Sequence, residues 1–286
     1  SILGRRLHAG LQRIANLTDM AADVPPNIRA ATAMDRSEWT LANAKRISHT
    51  GSRYSPSYAG RLIHMDTCGP YDASHHYGYR WMLVIVDDHT RWKTVRGMRH
   101  KSDALDCLRK YILEFDNFGG KITKQRMIGT VRSDNAAAFT PSETPAFLRD
   151  SGISFEMCPP YDHALNGVAE RAIGTIMETL RTAMGASASP SSFWMYAATH
   201  ACDILNRTTG PPESKASAYE LMTGAKPHIM GILPFGCRAY ARNPDNASAP
   251  SWLCMNLGRS ETVLGEYNLW IPSLNRRTST PDVLFD

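Results

Sequence analysis

The sequence predicts a mixed α/β layer domain followed by a small all-β unit. Three features point there. Apolar runs of strand length, such as Tyr79–Val86, stand between stretches of helical spacing. One such stretch, Ser102–Phe115, sets Leu105, Leu108, Ile112 and Phe115 on a single face. After Tyr240 the chain breaks into short β-like runs separated by Asn, Pro and Gly.

In chain order, residues 1–60 are irregular in pattern, with a short helix expected at Leu7–Leu17 that Pro25-Pro26 cannot continue. Ser/Arg/Thr-rich sequence through Ser57 reads as an arm. Leu62–Asp66 reads as a short strand ending in an acid. Tyr79–Val86 runs into Asp87-Asp88, and Trp92–Met98 suits a neighbouring strand. Met127–Arg132 is a further strand, leading straight into Ser133-Asp134. A helix near Ser142–Ser151 and a strand at Ser154–Cys158 follow. Pro159–Leu165 is expected as a loop. Asn166 then caps a long helix to Gly185, with Ala169, Ile173, Ile176, Leu180 and Met184 facing inward. A second helix spans about Ser192–Asn206.

A chain of 286 residues that is 43% hydrophobic and 21% charged can bury a real core, which excludes a disordered protein. No apolar run approaches the roughly 20 residues a membrane span needs, and Ser1–Arg6 has no apolar signal core, so secretion is unsupported. The six cysteines are never within three residues of one another, a scatter that suits free thiols rather than a disulfide or zinc framework. Net charge is +5, and residues 1–65 hold nine Lys/Arg against four Asp/Glu while the rest of the chain is balanced. A basic lead segment ahead of a neutral body suits a polyanionic partner. An ordinary solvated basic surface has the same count.

Three acids stand at element ends: Asp66, Asp134 and Glu170. Carboxylates at strand tips, met by one from a helix, can hold two hard divalent cations for in-line phosphoryl transfer. Spacing alone is a weak signal, because a chain with 27 acids offers many such pairs.

The surroundings of these acids carry more. His64-Met65-Asp66-Thr67-Cys68-Gly69-Pro70, Val86-Asp87-Asp88-His89-Thr90-Arg91, Lys101-Ser102, Val131-Arg132-Ser133-Asp134-Asn135 and Asn166-Gly167-Val168-Ala169-Glu170-Arg171 occur in this order. Leu205-Asn206-Arg207-Thr208, Tyr219–Gly224, Phe235–Tyr240, Gly265–Trp270 and Asp282–Asp286 continue the series. Together they resemble the integrase of copia-type (Pseudoviridae-like) long-terminal-repeat retrotransposons, within the retroviral integrase superfamily.

The resemblance implies a ribonuclease-H-like mixed sheet with flanking helices, followed by a small Src-homology-3-like β-barrel. It divides the chain into a basic arm (1–57, the remnant of a zinc-binding module), a core with helical extension (58–230) and the barrel (231–286). It implies Asp66, Asp134 and Glu170 as catalytic residues and ligands of two Mg²⁺ or Mn²⁺ ions. The activity implied is 3′-end processing of element DNA and strand transfer into target DNA, by a nuclear homo-oligomer. Nucleic-acid contacts are expected from Asn166, Arg171 and Arg181 on the long helix and from Arg276 and Arg277 in a basic turn over 275–279.

The sequence departs from the family pattern at three places. Residues 1–67 contain no cysteine, so zinc is not expected. Asp134-Asn135 is followed by Ala136-Ala137-Ala138 where the family has Gly-Gly-Glu. Tyr161–Leu165 lacks the polar residues usual before the long helix, and Asp162 would repel a phosphate. A second reading therefore stands: a non-catalytic, repurposed integrase fold acting as a structural or nucleic-acid-binding subunit among other protein subunits.

Other candidates have plainer roles. His64 reads as an edge residue or a reach toward the metal, and Asp87-Asp88 as a turn bonded to Arg91. Arg80 and Lys93 flank strands and are candidate DNA contacts. His75-His76 and His163 are too scattered for zinc. Trp81, Trp92 and Trp194 are expected in the core.

Overall fold

A computed structural model of the chain describes residues 56–119, 128–134, 143–158, 163–243, 250–260 and 265–286. The arm, the Leu7–Leu17 helix, the Ala136–Ala138 stretch and most of the 159–165 loop fall outside the described residues.

The first sheet has the order β3-β2-β1-β4-β5, formed by β1 (Leu62–Cys68), β2 (Trp81–Asp87), β3 (Lys93–Met98), β4 (Thr130–Ser133) and β5 (Ser154–Met157). The first three strands form an antiparallel meander. β4 pairs with β1 and β5 with β4, both in parallel, as crossovers through α1 (Ala104–Gly119) and α2 (Glu143–Asp150) allow. Then come α3 (His163–Ser187), α4 (Trp194–Thr208) and the short α5 (Ala218–Thr223).

Alternation along β2 splits the core in two. Leu83 and Ile85, with Ile63 and Met65 of β1, pack under α1 through Leu108, Tyr111, Ile112 and Phe115. Met82, Val84 and Val86 point the other way, onto Ile176 and Leu180 of α3 and Ala197, Ala201 and Leu205 of α4.

The second sheet is antiparallel, in the order β10-β6-β7-β8-β9: β6 (Arg238–Arg242), β7 (Ser251–Arg259), β8 (Tyr267–Ile271), β9 (Arg276–Thr280) and β10 (Val283–Phe285). Its small core of Ala239, Ala241, Cys254, Leu269 and Ile271 lies on one face. From elsewhere in this region, Phe235, Leu257 and Trp270 join the apolar cluster of α4. The tail is therefore packed on the long-helix layer rather than tethered beside it.

Three local expectations are corrected. β1 does not end at Asp66 but continues to Cys68, because β2 keeps pairing with it as far as Cys68–Met82. The long helix begins at His163, since His163-Ala164-Leu165 contains no residue that stops it, so Asn166 lies inside the helix and is not its cap. Residues 276–280 are the edge strand β9, and the turn before it is the short 3-10 helix Pro272–Leu274 closed by Asn275 at φ 49°.

One polar clamp fixes α4 to the sheet. The buried Asn206 amide accepts from Lys93 N and donates to Lys93 O, both at 2.8 Å, so a side chain completes the edge of β3 as a further strand would. Lys93 is buried as well, and its ammonium donates to Arg91 O at 2.9 Å and to Thr209 Oγ1 at 3.3 Å. That removes Lys93 from the candidate DNA contacts. Replacing Asn206 by leucine strands both backbone groups of Lys93. The expected loss is about 2 kcal/mol, read as a lower urea midpoint at unchanged slope.

Candidate functional site

The site follows from strand register. Asp66 pairs with Val84 and His64 with Val86, so both side chains project to the face that α3 and α4 cover. On the other side of β1, the parallel ladder with β4 closes at Met65–Ser133. The next residue of each strand is an acid, and the two meet as neighbours: Asp66 and Asp134. Glu170 stands about two turns into α3 rather than in its first turn, an exposed residue within electrostatic range of Asp66.

Electrostatics record this convergence. The Asp66 carboxyl is pushed up from 3.8 to about 6, first by burial, then by the charge of Asp134 and further by that of Glu170. Two effects pull it back: Thr67 N donates to Asp66 Oδ1 at 2.6 Å, and the Lys101 ammonium lies within electrostatic reach. Lys101 is itself held 4.5 Å from the centroid of the Trp81 ring. The sequence does not single out Lys101 as a site residue; its signals are its place after β3 and the Lys101-Ser102 pair in the family resemblance.

Among the described residues, no three His, Cys, Asp or Glu side chains stand close enough together to hold a metal ion as they are. The donor set nevertheless suits one. Asp134 Oδ1 is buried with no hydrogen-bond partner among the described residues. A hard divalent cation would satisfy that oxygen and relieve the repulsion that raises Asp66.

The neighbouring titratable groups have structural duties. Asp87 is buried and accepts from Gly60 N at 2.6 Å and from Thr90 N and Thr90 Oγ1 at 2.7 Å each, while burial pushes its carboxyl up. Asp88 sits 3.3 Å from His64 Nε2 and 2.6 Å from Arg91 Nη1, partners that hold its carboxyl below the ordinary range against the opposing effect of burial. His64 thus faces Asp88 rather than Asp66. His75 stacks on Phe193 and meets the edge of Trp270, a packing role. Trp194 is buried, its indole N–H donating to Asp72 O at 3.0 Å.

The predicted nucleic-acid contacts divide by location. Arg171 and Arg181 are exposed on α3, and the Arg171 guanidinium lies across Gly167. Arg276 and Arg277 are exposed on the outer strand β9, over the rings of Trp252 and Tyr77 respectively. Arg80 is exposed. Asn166 is fully buried against β1.

Residues 56–163 match the family model described as the integrase core domain. The chain is 28% identical over 231 residues to the retrovirus-related Pol polyprotein from transposon TNT 1-94 of Nicotiana tabacum, covering 78% of this chain and 17% of the polyprotein. It is also 28% identical over 251 residues to the Pol polyprotein from transposon RE2 of Arabidopsis thaliana, covering 86% and 16%. The chain therefore spans about a sixth of the length of these relatives. In shape it is similar to a chain of the simian T-cell lymphotropic virus intasome in complex with PP2A regulatory subunit B56 gamma. That match has a TM-score of 0.50 and 15% identity over 84% of this chain and 82% of the other. The mixed five-stranded sheet with its helices is the ribonuclease-H-like integrase-core fold.

In the absence of divalent ions the folded state keeps a proton on Asp66 that the unfolded chain has released. Stability must then fall as pH rises from 3.8 through about 6. Asp66→Asn preserves the acceptor for Thr67 N and removes the charge. Calorimetry in a chelator should find this variant melting a few degrees above wild type at neutral pH and level with it at pH 3.5.

Proposed function

We propose that this chain, a retrotransposon integrase of the retroviral integrase superfamily, is a metal-dependent polynucleotidyl transferase that processes DNA 3′ ends and transfers them into target DNA. One observation carries the reading: the β1–β4 ladder stops where two acids become neighbours, and the Asp66 carboxyl feels both Asp134 and Glu170. Asp66, Asp134 and Glu170 would hold two Mg²⁺ or Mn²⁺ ions. Bound there, the ions supply the charge that activates the attacking oxygen and steadies the leaving 3′-oxygen.

The rest of the chemistry belongs to side chains of the chain itself. Thr67 N holds one Asp66 oxygen in place, leaving the other to face the site. Lys101 adds positive charge at the edge, where a DNA phosphate approaches. Arg171 and Arg181 present exposed guanidinium groups along α3 for the backbone of the element's DNA. Arg276 and Arg277 extend a basic edge from the tail, which we read as a Src-homology-3-like barrel on the strength of its five short antiparallel strands. The division into arm (1–57), core (58–230) and barrel (231–286) is part of the proposal. Joining two DNA ends in one event calls for more than one copy of the chain, acting in the nucleus. Among the described residues no helix is long and apolar enough to cross a membrane.

A second reading, a non-catalytic subunit that keeps the fold, is favoured by one observation: the three acids do not form a ready-made metal cluster among the described residues. A strand-transfer assay on a short duplex carrying the element's own termini separates the two. Wild type should be active with Mn²⁺, and Asp134→Asn should fall to background with an unchanged circular-dichroism spectrum. Equal activity in the two proteins rejects the catalytic assignment. A wild-type chain that neither transfers strands nor gains thermal stability at millimolar Mn²⁺ is the non-catalytic subunit.

A further inference from the structure

The second sheet keeps an apolar row on its solvent side. Leu284 pairs with Tyr240 and Tyr240 with Leu253, so the three side chains stand abreast across β10, β6 and β7. They point away from the small core, which takes Ala239, Ala241 and Cys254 from the alternate positions. Leu284 is 75% exposed, Leu253 54% and Tyr240 37%. Other large apolar side chains exposed among the described residues, such as Leu113 and Met157, lie on separate elements. Single exposed residues of that kind are ordinary, whereas a contiguous row rimmed by polar groups marks a contact surface.

The rim of this row is charged in a regular pattern. Arg238 and Arg242 flank Tyr240 on β6, and both are exposed. Asp286 and Asp282 flank Leu284 on β10, each opposite one of these arginines. Asp286 N donates to Arg238 O at 3.2 Å, and Arg242 N donates to Asp282 O at 3.3 Å. Each strand therefore presents charge, apolar group, charge, and the two strands carry opposite signs. Such a face is neutral overall and draws no polyanion, which disfavours DNA as its occupant. It fits a surface of the same pattern with the signs exchanged between strands, and a second copy of the chain offers that surface.

A twofold axis parallel to the strands, running between β6 and β10, lays β10 of one copy over β6 of the other. Leu284 then covers Tyr240 of the second copy, Asp286 meets Arg238, and Asp282 meets Arg242, each contact occurring twice. Beyond Leu253 the same side of the tail is already occupied, since Met255 and Trp270 pack on the cluster that holds α4. The second sheet extends the other way, past β10, and clears that contact. Pairing two β10 edges about Leu284 would instead set Asp282 against Asp286 of the second copy, like charge against like.

We propose that the outer face of β6 and β10 is a self-complementary interface through which two copies of this chain associate. A contact two strands wide falls short of the roughly 20–30 residues a side of a standard interface, so the association is weak. It does not depend on the metal-dependent reading and holds for a catalytic and a non-catalytic chain alike.

The test is sedimentation equilibrium of the full chain with two charge reversals. The weight-average mass of wild type should climb with concentration through the micromolar range. Arg242→Glu and Asp282→Arg should each associate about tenfold more weakly or worse, because each alone sets like charges across the axis. An equimolar mixture of the two should return to the wild-type curve, since the reversed charges match between different copies. Mixing does not rescue a variant that has failed to fold, so recovery identifies the interface itself. Single-variant curves that match wild type, or a mixture that stays dissociated, overturn the proposal. A wild-type mass that stays constant up to millimolar concentration also overturns it. Weaker DNA binding by Arg242→Glu at unchanged association overturns it as well and assigns the face to nucleic acid.

Discussion

The parallel ladder between β1 and β4 governs the functional half of this molecule. Backbone hydrogen bonding holds the two strands in one register and then releases them after Met65 and Ser133. Acids that follow at once on both strands are forced into proximity at the point where the sheet opens. Asp66 cannot retreat, since β2 still holds β1 as far as Cys68. Burial first, then the charge of Asp134 and further that of Glu170, raises the Asp66 carboxyl to about 6. The nearness of the two acids is thus a consequence of strand pairing.

The long helix completes this arrangement from the opposite layer. Ile176 and Leu180 lock α3 onto Val84 and Val86, and the buried Asn166 of the same helix reaches Met65 O of β1. Outward-facing positions of the same helix carry Arg171 and Arg181. A single helical period thus sorts the residues of one segment into core, site and exposed basic surface.

Charged groups close by are spent on architecture. Asp87 gathers three donors to hold the chain before β1 and the turn after β2, and Asp88 joins His64 to Arg91. Asn206 performs a similar task at the far edge, where its amide stands in for a missing strand. These groups belong to the same series of motifs as the candidate site residues, so a resemblance carries no distinction between chemistry and scaffold. Burial and partners make the distinction: Asp87 and Asn206 are saturated with hydrogen bonds, whereas Asp134 Oδ1 and Asn166 Oδ1 have none among the described residues.

Much of the architecture was legible in the residues themselves. Alternation marked β2 and its neighbours, helical spacing marked α1, α3 and α4, and the punctuation after Tyr240 marked a separate run of short strands, because these periods are local and each chain segment carries its own. Asp134 was legible as the residue that follows a recognisable run, whereas Asp66 lies inside β1 and Glu170 inside α3. The helix start at His163, the continuation of β1 past Asp66 and the strand at Arg276–Thr280 were not, since each depends on what a neighbouring element offers as a partner. Lys101, Asn166 and Lys93 show the limit most clearly. Whether a polar side chain lies beside a carboxylate or against the backbone of another strand is set by packing between segments that can be more than a hundred residues apart in the chain, and only the assembled fold decides it.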